Sequence, residues 1–308
     1  MKYNYAFTLF FVFNIYSLYA GDYIINSFDN HNIYGTLITS KNPNSNLAII
    51  ISGSGPTDRD GNNTSMKSDY LKILAEGLQQ NGISTYRYDK RGVGKSLGDL
   101  KSVNEIKFSD YINDVVSIIN YFKGSKNFKE VVVIGHSEGA LIGMIASQSI
   151  ADRFISIAGA GEDYLTLIER QLSIQPEYIK AMSKPIIENL KNKKLVDSVP
   201  PLLNSLFRVD VQSFLIDASS YHPEEEISKL DMPILIIQGS TDIQVKVSDA
   251  LLLHKAAKNS RLVIIDGMNH VFRQASNNRI LNLQTYGNPE LPIDDNLVNS
   301  VVEFINDK

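Results

Sequence analysis

The chain has 308 residues, 43% hydrophobic and 21% charged, which is ordinary globular composition with room for one large α/β domain or two small ones. A net charge of −4 with no basic stripe leaves no electrostatic footprint for nucleic acid. The absence of cysteine excludes disulfides, thiol catalysis and Cys-based zinc sites.

Lys2 precedes an uncharged run from Ala6 to Leu18, and Ala20-Gly21 offers small residues for cleavage. This is the pattern of a secretory signal peptide over residues 1–20. The run is too short, and too interrupted by Asn14 and Ser17, to predict a membrane span. The expectation is an exported protein, periplasmic or secreted, with no stable membrane insertion after cleavage and a folded domain over residues 21–308. A retained N-terminal anchor is the alternative.

Asp22 to Phe28 and Ile33 to Thr39 read as two strands of a hairpin around Asp29-Asn30-His31-Asn32, with His31 exposed in the turn. Leu47 to Ile51 is a fully buried strand candidate. It runs into Ser52-Gly53-Ser54-Gly55-Pro56-Thr57-Asp58-Arg59-Asp60-Gly61-Asn62, a density of turn residues that marks a functional loop at the carboxyl edge of a sheet. Tyr70 to Leu78 is helical and Ile83 to Tyr88 is the next strand.

Asp89-Lys90-Arg91-Gly92-Val93-Gly94-Lys95-Ser96 follows that strand. Its last three residues resemble the end of a P-loop, but Asp89 stands where the first glycine must be and a polar stretch replaces the helix, so nucleotide binding is not expected. Phe108 to Phe122 has the apolar spacing of a helix.

Val131 to Ile134 is a short β-branched strand, Gly135-His136-Ser137-Glu138-Gly139 follows at once, and Ala140-Leu141-Ile142 opens a helix. A G-x-S-x-G between strand and helix is a nucleophile elbow: the turn is tight enough to strain Ser137 and project its hydroxyl above the sheet. His136 is expected to point to the other side of the strand as a packing residue.

Arg153 to Ala158 is a strand ending in Gly159-Ala160-Gly161. From Glu162 to about Leu230 the alternation gives way to helix formers and charges broken by prolines, which reads as a helical insertion, with His222 on a solvated surface. Pro233 to Gln238 is a strand ending in Gly239-Ser240-Thr241-Asp242, Val247 to Ala257 a helix carrying His254 on its surface, and Arg261 to Ile265 a strand ending in Asp266-Gly267-Met268-Asn269-His270. A polar loop to Pro292 leads into a closing helix, Asn296 to Ile305.

Eight strand candidates, six of them alternating with helices, predict a mainly parallel sheet covered on both faces. Side chains that do chemistry then belong at the carboxyl ends of strands. Ser137, Asp242 and His270 each occupy such an end, in the chain order Ser, Asp, His. Asp266 is the competing acid, but four residues from His270 along one loop it more naturally caps a turn.

With these motifs the sequence resembles a bacterial α/β-hydrolase of the group that includes carboxylesterases and aminopeptidase-like relatives. The resemblance covers essentially residues 22–308 and is carried by SGSGPTDRDGN, DKRGVGKS, GHSEG, GSTD and DGMNH. It implies an eight-stranded, mostly parallel α/β-hydrolase sheet with a helical cap over Ser137, and an oxyanion hole from the backbone N–H groups of Ser54 and Glu138. Ser52 stands where the family often has histidine. The activity implied is hydrolysis of a small-molecule carboxylic ester through an acyl-serine, with no metal or organic cofactor. A serine peptidase releasing N-terminal residues is the enzymatic alternative, and a non-catalytic binding protein on the same scaffold the alternative from another class. A peptidase needs a carboxylate near Ser137 for the substrate ammonium, for which Glu138, Glu162 and Asp163 are candidates. Leu165, Leu167, Ile168, Leu172 and Ile174 could instead line an apolar acyl site.

Overall fold

The computed structural model describes residues 22–42, 44–98 and 105–307; the expected signal peptide at residues 1–20 lies outside them. The strands are Asp22–Asn26 (β1), Asn32–Ile38 (β2), Leu47–Ile51 (β3), Ser84–Tyr88 (β4), Val131–His136 (β5), Arg153–Ile157 (β6), Ile234–Gly239 (β7) and Ser260–Ile265 (β8). The helices are Tyr70–Gln80 (α1), Phe108–Ser125 (α2), Glu138–Ala146 (α3), Tyr164–Leu172 (α4), Glu177–Lys191 (α5), Asn204–Phe207 (α6), Gln212–Ala218 (α7), Pro223–Ser228 (α8), Val247–Ala256 (α9), Arg279–Gln284 (α10) and Asp295–Asn306 (α11).

The eight strands form one sheet in the order β1-β2-β4-β3-β5-β6-β7-β8. β2 is antiparallel to both β1 and β4, and the remaining pairs are parallel. Every residue of β3, β5 and β7 is buried. A strand covered on both faces needs such an unbroken apolar run rather than an alternating one. Period-2 geometry then divides each strand between two layers. Ala48, Ile50, Val132, Ile134, Leu235 and Ile237 pack against α1 and α11 through Leu71, Leu74, Leu297, Val301 and Phe304. Ile49, Val131, Val133, Phe154, Ile234 and Ile236 share the opposite layer with Val115, Ile119 and Phe122 of α2, Ile142 of α3 and Leu253 of α9.

Helices α4 to α8 lie between β6 and β7. Leu165, Ile168, Ile187, Leu190, Phe207 and Leu215 give α4 to α7 a small core of their own. Ile227 of α8 returns to the main core.

Two expectations need correction. The stretch read as a polar loop contains α10, whose apolar Ile280, Leu281 and Leu283 are exposed and whose buried residue is Asn282. A helix anchored by a polar side chain carries no apolar stripe to reveal it. Asn278 caps it, accepting from the Ile280 and Leu281 N–H groups at 3.0 and 3.3 Å. His31 is also not exposed: half-buried, it donates from Nε2 to the Ser96 carbonyl at 2.9 Å and ties the first hairpin to the loop after β4. His222 and His254 are exposed, as expected.

Candidate active site

Ser137 joins β5 directly to α3 with φ 55° and ψ −120°, a conformation strained for any residue with a side chain. The flanking glycines make it possible. A Cβ on Gly135 would lie 2.3 Å from the Gly139 carbonyl oxygen, and one on Gly139 would lie 2.5 Å from that of Ile51. Strand, helix and neighbouring strand therefore close on each other only because both side chains are absent.

Asp242 and His270 come from the ends of β7 and β8. His270 Nδ1 donates to Asp242 Oδ2 at 2.7 Å, and the two side chains are 6% and 1% exposed. The other carboxylate oxygen accepts from the Gln244 and Val245 N–H groups at 2.7 and 3.0 Å. Burial alone would raise the Asp242 pKa, but the adjacent imidazole and these hydrogen bonds outweigh it and hold the carboxyl below 3.8. With Nδ1 committed as donor, the neutral imidazole presents Nε2 as an acceptor. Among the described residues no hydrogen bond joins Ser137 Oγ to His270; such contacts commonly tighten only with substrate. Asp266 is exposed and accepts from Ser240 Oγ at 2.8 Å, so it fixes the loop and does not touch His270.

His136 is buried, its ring packed edge-on against Tyr70 and Phe272. Its ring lies 4.7 Å from that of His270, and its Nε2 donates to the His270 backbone carbonyl at 2.9 Å. Its Nδ1 accepts from the Tyr70 hydroxyl at 3.2 Å. Burial and the neighbouring His270 push its pKa well below 6.5, so it stays neutral. The expected packing residue also props the loop carrying His270, and its place next to Ser137 in sequence was the signal for that.

The N–H groups of Ser54 and Glu138 have no acceptor among the described residues. Glu138 begins α3, so its amide also carries the positive end of the helix dipole. Ser52, in the place of the usual histidine, is buried and donates to the Thr57 carbonyl at 3.1 Å, while Thr57 Oγ1 donates to the Ser54 carbonyl at 3.0 Å. These bonds brace the loop from within.

The loop after β4 supplies what sequence reasoning missed. Asp89, Lys90 and Arg91 are all buried. Asp89 accepts from Arg59 and from the Lys95 N–H, and Arg91 pairs with Asp29 and Asp114. Lys90 Nζ donates to Glu138 Oε1 at 2.8 Å and to the Gly53 carbonyl at 2.5 Å, and Tyr164 Oη donates to Glu138 Oε2 at 2.7 Å. Three consecutive charges read as solvated loop in a sequence. Their position after a buried strand was the one available hint.

A cavity of about 400 Å³ opens over Ser137, Glu138 and Ser54. The inserted helices contribute Leu167, Ile168, Leu206, Phe214 and Leu215 to it. Of the five apolar residues expected there, Leu167 and Ile168 line the cavity, Leu165 and Leu172 are buried in the small core, and Ile174 is exposed. Of the three candidate carboxylates, Glu138 is paired with Lys90, Glu162 lies 2.9 Å from Arg170, and Asp163 caps α4 by accepting from the Thr166 N–H at 3.2 Å. The arrangement can supply a nucleophile, a base with an orienting acid, and two amide donors, beside a mostly apolar chamber.

The chain is similar to known hydrolases. A family model described as serine aminopeptidase, S33, matches residues 65–273. Esterase EstD of Thermotoga maritima is 27% identical over 235 residues, covering 72% of this chain but only 53% of EstD, so the match spans about half of that relative's length. The proline iminopeptidase of Saccharolobus solfataricus is 24% identical over 274 residues, covering 78% of this chain and 83% of that protein. Among solved structures, Est1E from Butyrivibrio proteoclasticus with ferulic acid bound superposes with a TM-score of 0.60 at 19% identity, over 92% of this chain and 100% of that one. The fold is that of the α/β-hydrolases.

Proposed function

The chain belongs to the serine aminopeptidase (S33) family of hydrolases, and from that premise we propose that it hydrolyses small-molecule carboxylic esters through an acyl-serine intermediate. Ser137 Oγ attacks the ester carbonyl carbon while His270 Nε2 takes the hydroxyl proton, and Asp242 holds the resulting imidazolium. The tetrahedral oxyanion accepts from the Ser54 and Glu138 N–H groups, each worth a few kcal/mol (about 3) by the cost of losing such a donor. Collapse expels the alcohol, which receives its proton from His270. A water molecule then attacks the acyl carbon, giving its proton to His270, and the acid departs as Ser137 is reprotonated.

The matched relatives include an esterase and an iminopeptidase, and a shared fold does not choose between those activities. What favours the ester is the state of the cavity's carboxylates. Glu138, Glu162 and Asp210 line it, and each is already ion-paired, with Lys90, Arg170 and Arg208 at 2.8, 2.9 and 2.8 Å. A substrate ammonium in so apolar a chamber would need a free partner, because an unpaired buried charge is very costly. Short-chain p-nitrophenyl esters should be turned over, with activity lost in Ser137→Ala, while aminoacyl p-nitroanilides react at least about a hundredfold more slowly, roughly 2.7 kcal/mol in the barrier. Comparable kcat/KM on the two classes, with amide turnover lost in Glu162→Gln, would favour the peptidase. The proposal extends to location: the pattern of residues 1–20 supports export, with the ester encountered outside the cytoplasm.

A further inference from the structure

The ion pair of Lys90 and Glu138 is 1% and 2% exposed and lies directly beside the proposed oxyanion hole. Removing two charges from water is expensive, and a buried pair often adds nothing to stability over apolar residues of similar size. Its contacts suggest a different purpose. Lys90 Nζ donates at 2.5 Å to the Gly53 carbonyl. That carbonyl and the Ser54 N–H belong to one peptide unit, in which C=O and N–H point in opposite directions. Holding the carbonyl against Lys90 therefore turns the Ser54 N–H away from it. Gly53 itself lies against the nucleophile, since a Cβ there would stand 3.2 Å from Ser137 Cβ.

The second partner of Lys90 is Glu138, whose own N–H is the other donor. Tyr164 Oη takes the remaining carboxylate oxygen at 2.7 Å, and the Tyr111 ring centroid lies 5.2 Å from the Lys90 ammonium. Both donor-bearing segments are thus tied to one ammonium ion, and Tyr164 adds a tie from the first inserted helix.

We propose that Lys90, Glu138 and Tyr164 form a clamp that positions both amide donors of the oxyanion hole, an inference that rests on the ester-hydrolysis reading of the site. Lys90 does this in two ways. It fixes the Gly53–Ser54 peptide plane, and it cancels the Glu138 charge, which would otherwise oppose the developing oxyanion in a poorly screened site. Tyr164 fixes the Glu138 side chain from above; burial and the adjacent carboxylate keep its phenol protonated as the donor. These are positioning residues, since they act through the amides and not on the substrate.

The test compares the full-length enzyme with Lys90→Met/Glu138→Leu, which replaces the pair by apolar groups, and with Glu138→Gln, which keeps acceptor and shape. The double variant should fold and bind substrate with KM within about twofold, but lose kcat by about 30- to 100-fold, somewhat less than deletion of a whole donor. The inhibition constant of an arylboronic acid, which becomes a tetrahedral anion on Ser137, should rise by the same factor. Glu138→Gln should recover kcat to within about fivefold of the parent, because the amide oxygen still accepts from Lys90 and the amide N–H can donate to Tyr164 Oη. Should the double variant not fold, Tyr164→Phe carries the test, with kcat falling about three- to tenfold and boronate affinity falling in parallel. A folded double variant with kcat within threefold of the parent, or a loss confined to KM with boronate affinity unchanged, overturns the clamp; so does an unaltered Tyr164→Phe enzyme. Fluorophosphonate labelling separates the two levels of inference. A wild type that is not labelled at Ser137 defeats the hydrolase reading itself, whereas a labelled wild type with an indifferent double variant defeats only the clamp.

Discussion

At the scale of single residues, two aspartates near the end of the chain's last parallel pair have opposite fates. Asp242 is buried against His270, while Asp266 is exposed and holds Ser240. Asp242→Asn should cost about four orders of magnitude in kcat near neutral pH, because His270 would be held in the wrong tautomer. Asp266→Asn should cost far less, and steady-state kinetics on one ester checks both; reversed effects would exchange their roles. His136 makes a second prediction, on stability. Burial depresses its folded-state pKa below the unfolded 6.5, so the unfolded chain binds the proton first. Its contribution is therefore complete above about pH 6.5 and is lost as pH falls from there towards the depressed folded value. His136→Gln, which cannot titrate, should be less stable at pH 7.5 by about 1–3 kcal/mol through its lost hydrogen bonds, yet lose less on acidification. Melting temperatures of both proteins from pH 5 to 7.5 test this, and parallel curves would mean the imidazole is not the titrating group.

At the scale of elements, the turn from β5 to α3 closes backbone directly on backbone. Its tolerance is set by backbone atoms rather than by side chains that could move aside. A methyl group on Gly135 would meet the Gly139 carbonyl oxygen at 2.3 Å and Ala140 Cα at 2.5 Å. Gly135→Ala should therefore destabilise by about 3 kcal/mol or more, at the severe end for one added methyl. Chemical denaturation checks the magnitude, and a folded variant with unchanged midpoint would show that β5 and α3 can separate cheaply. The same element scale explains what the sequence hid. β3 and β5 were legible because unbroken apolar runs signal double-faced burial, and the exposed apolar residues of α10 signal nothing. Asn282 fixes that helix by donating to the Thr241 and Ser276 carbonyls at 2.8 and 3.0 Å, a role no periodicity encodes.

At the scale of the whole molecule, six of the eight strands lie beside a parallel partner. That common direction delivers the ends of β3, β4, β5, β7 and β8 to one edge, where the site is assembled from loops far apart in the chain. β1 and β2 are the exceptions: β2 runs antiparallel to both β1 and β4 at the outer edge of the sheet. Among the described residues no helix is long and apolar enough to cross a membrane. Export would follow from the N-terminal pattern, and the chain recovered from its host should begin at or near Gly21 and lie outside the cytoplasm. N-terminal sequencing of material from separated cell fractions tests this; a cytoplasmic chain beginning at Met1 would refute it.

The residues themselves determined the alternation of strand and helix, the elbow around Ser137, and the order in which Ser137, Asp242 and His270 occur. Those features are local: period-2 and period-3.6 patterns, glycines at a turn, and polar residues at strand ends are all written within a few positions of each other. Tertiary structure alone decided that Lys90 reaches Gly53 and Glu138, that His136 supports His270, and that the cavity's carboxylates are already paired. The first two depend on groups far apart in the chain meeting in a space from which water is excluded. The cost of an unpaired charge then selects the partner, and sequence distance plays no part in that selection.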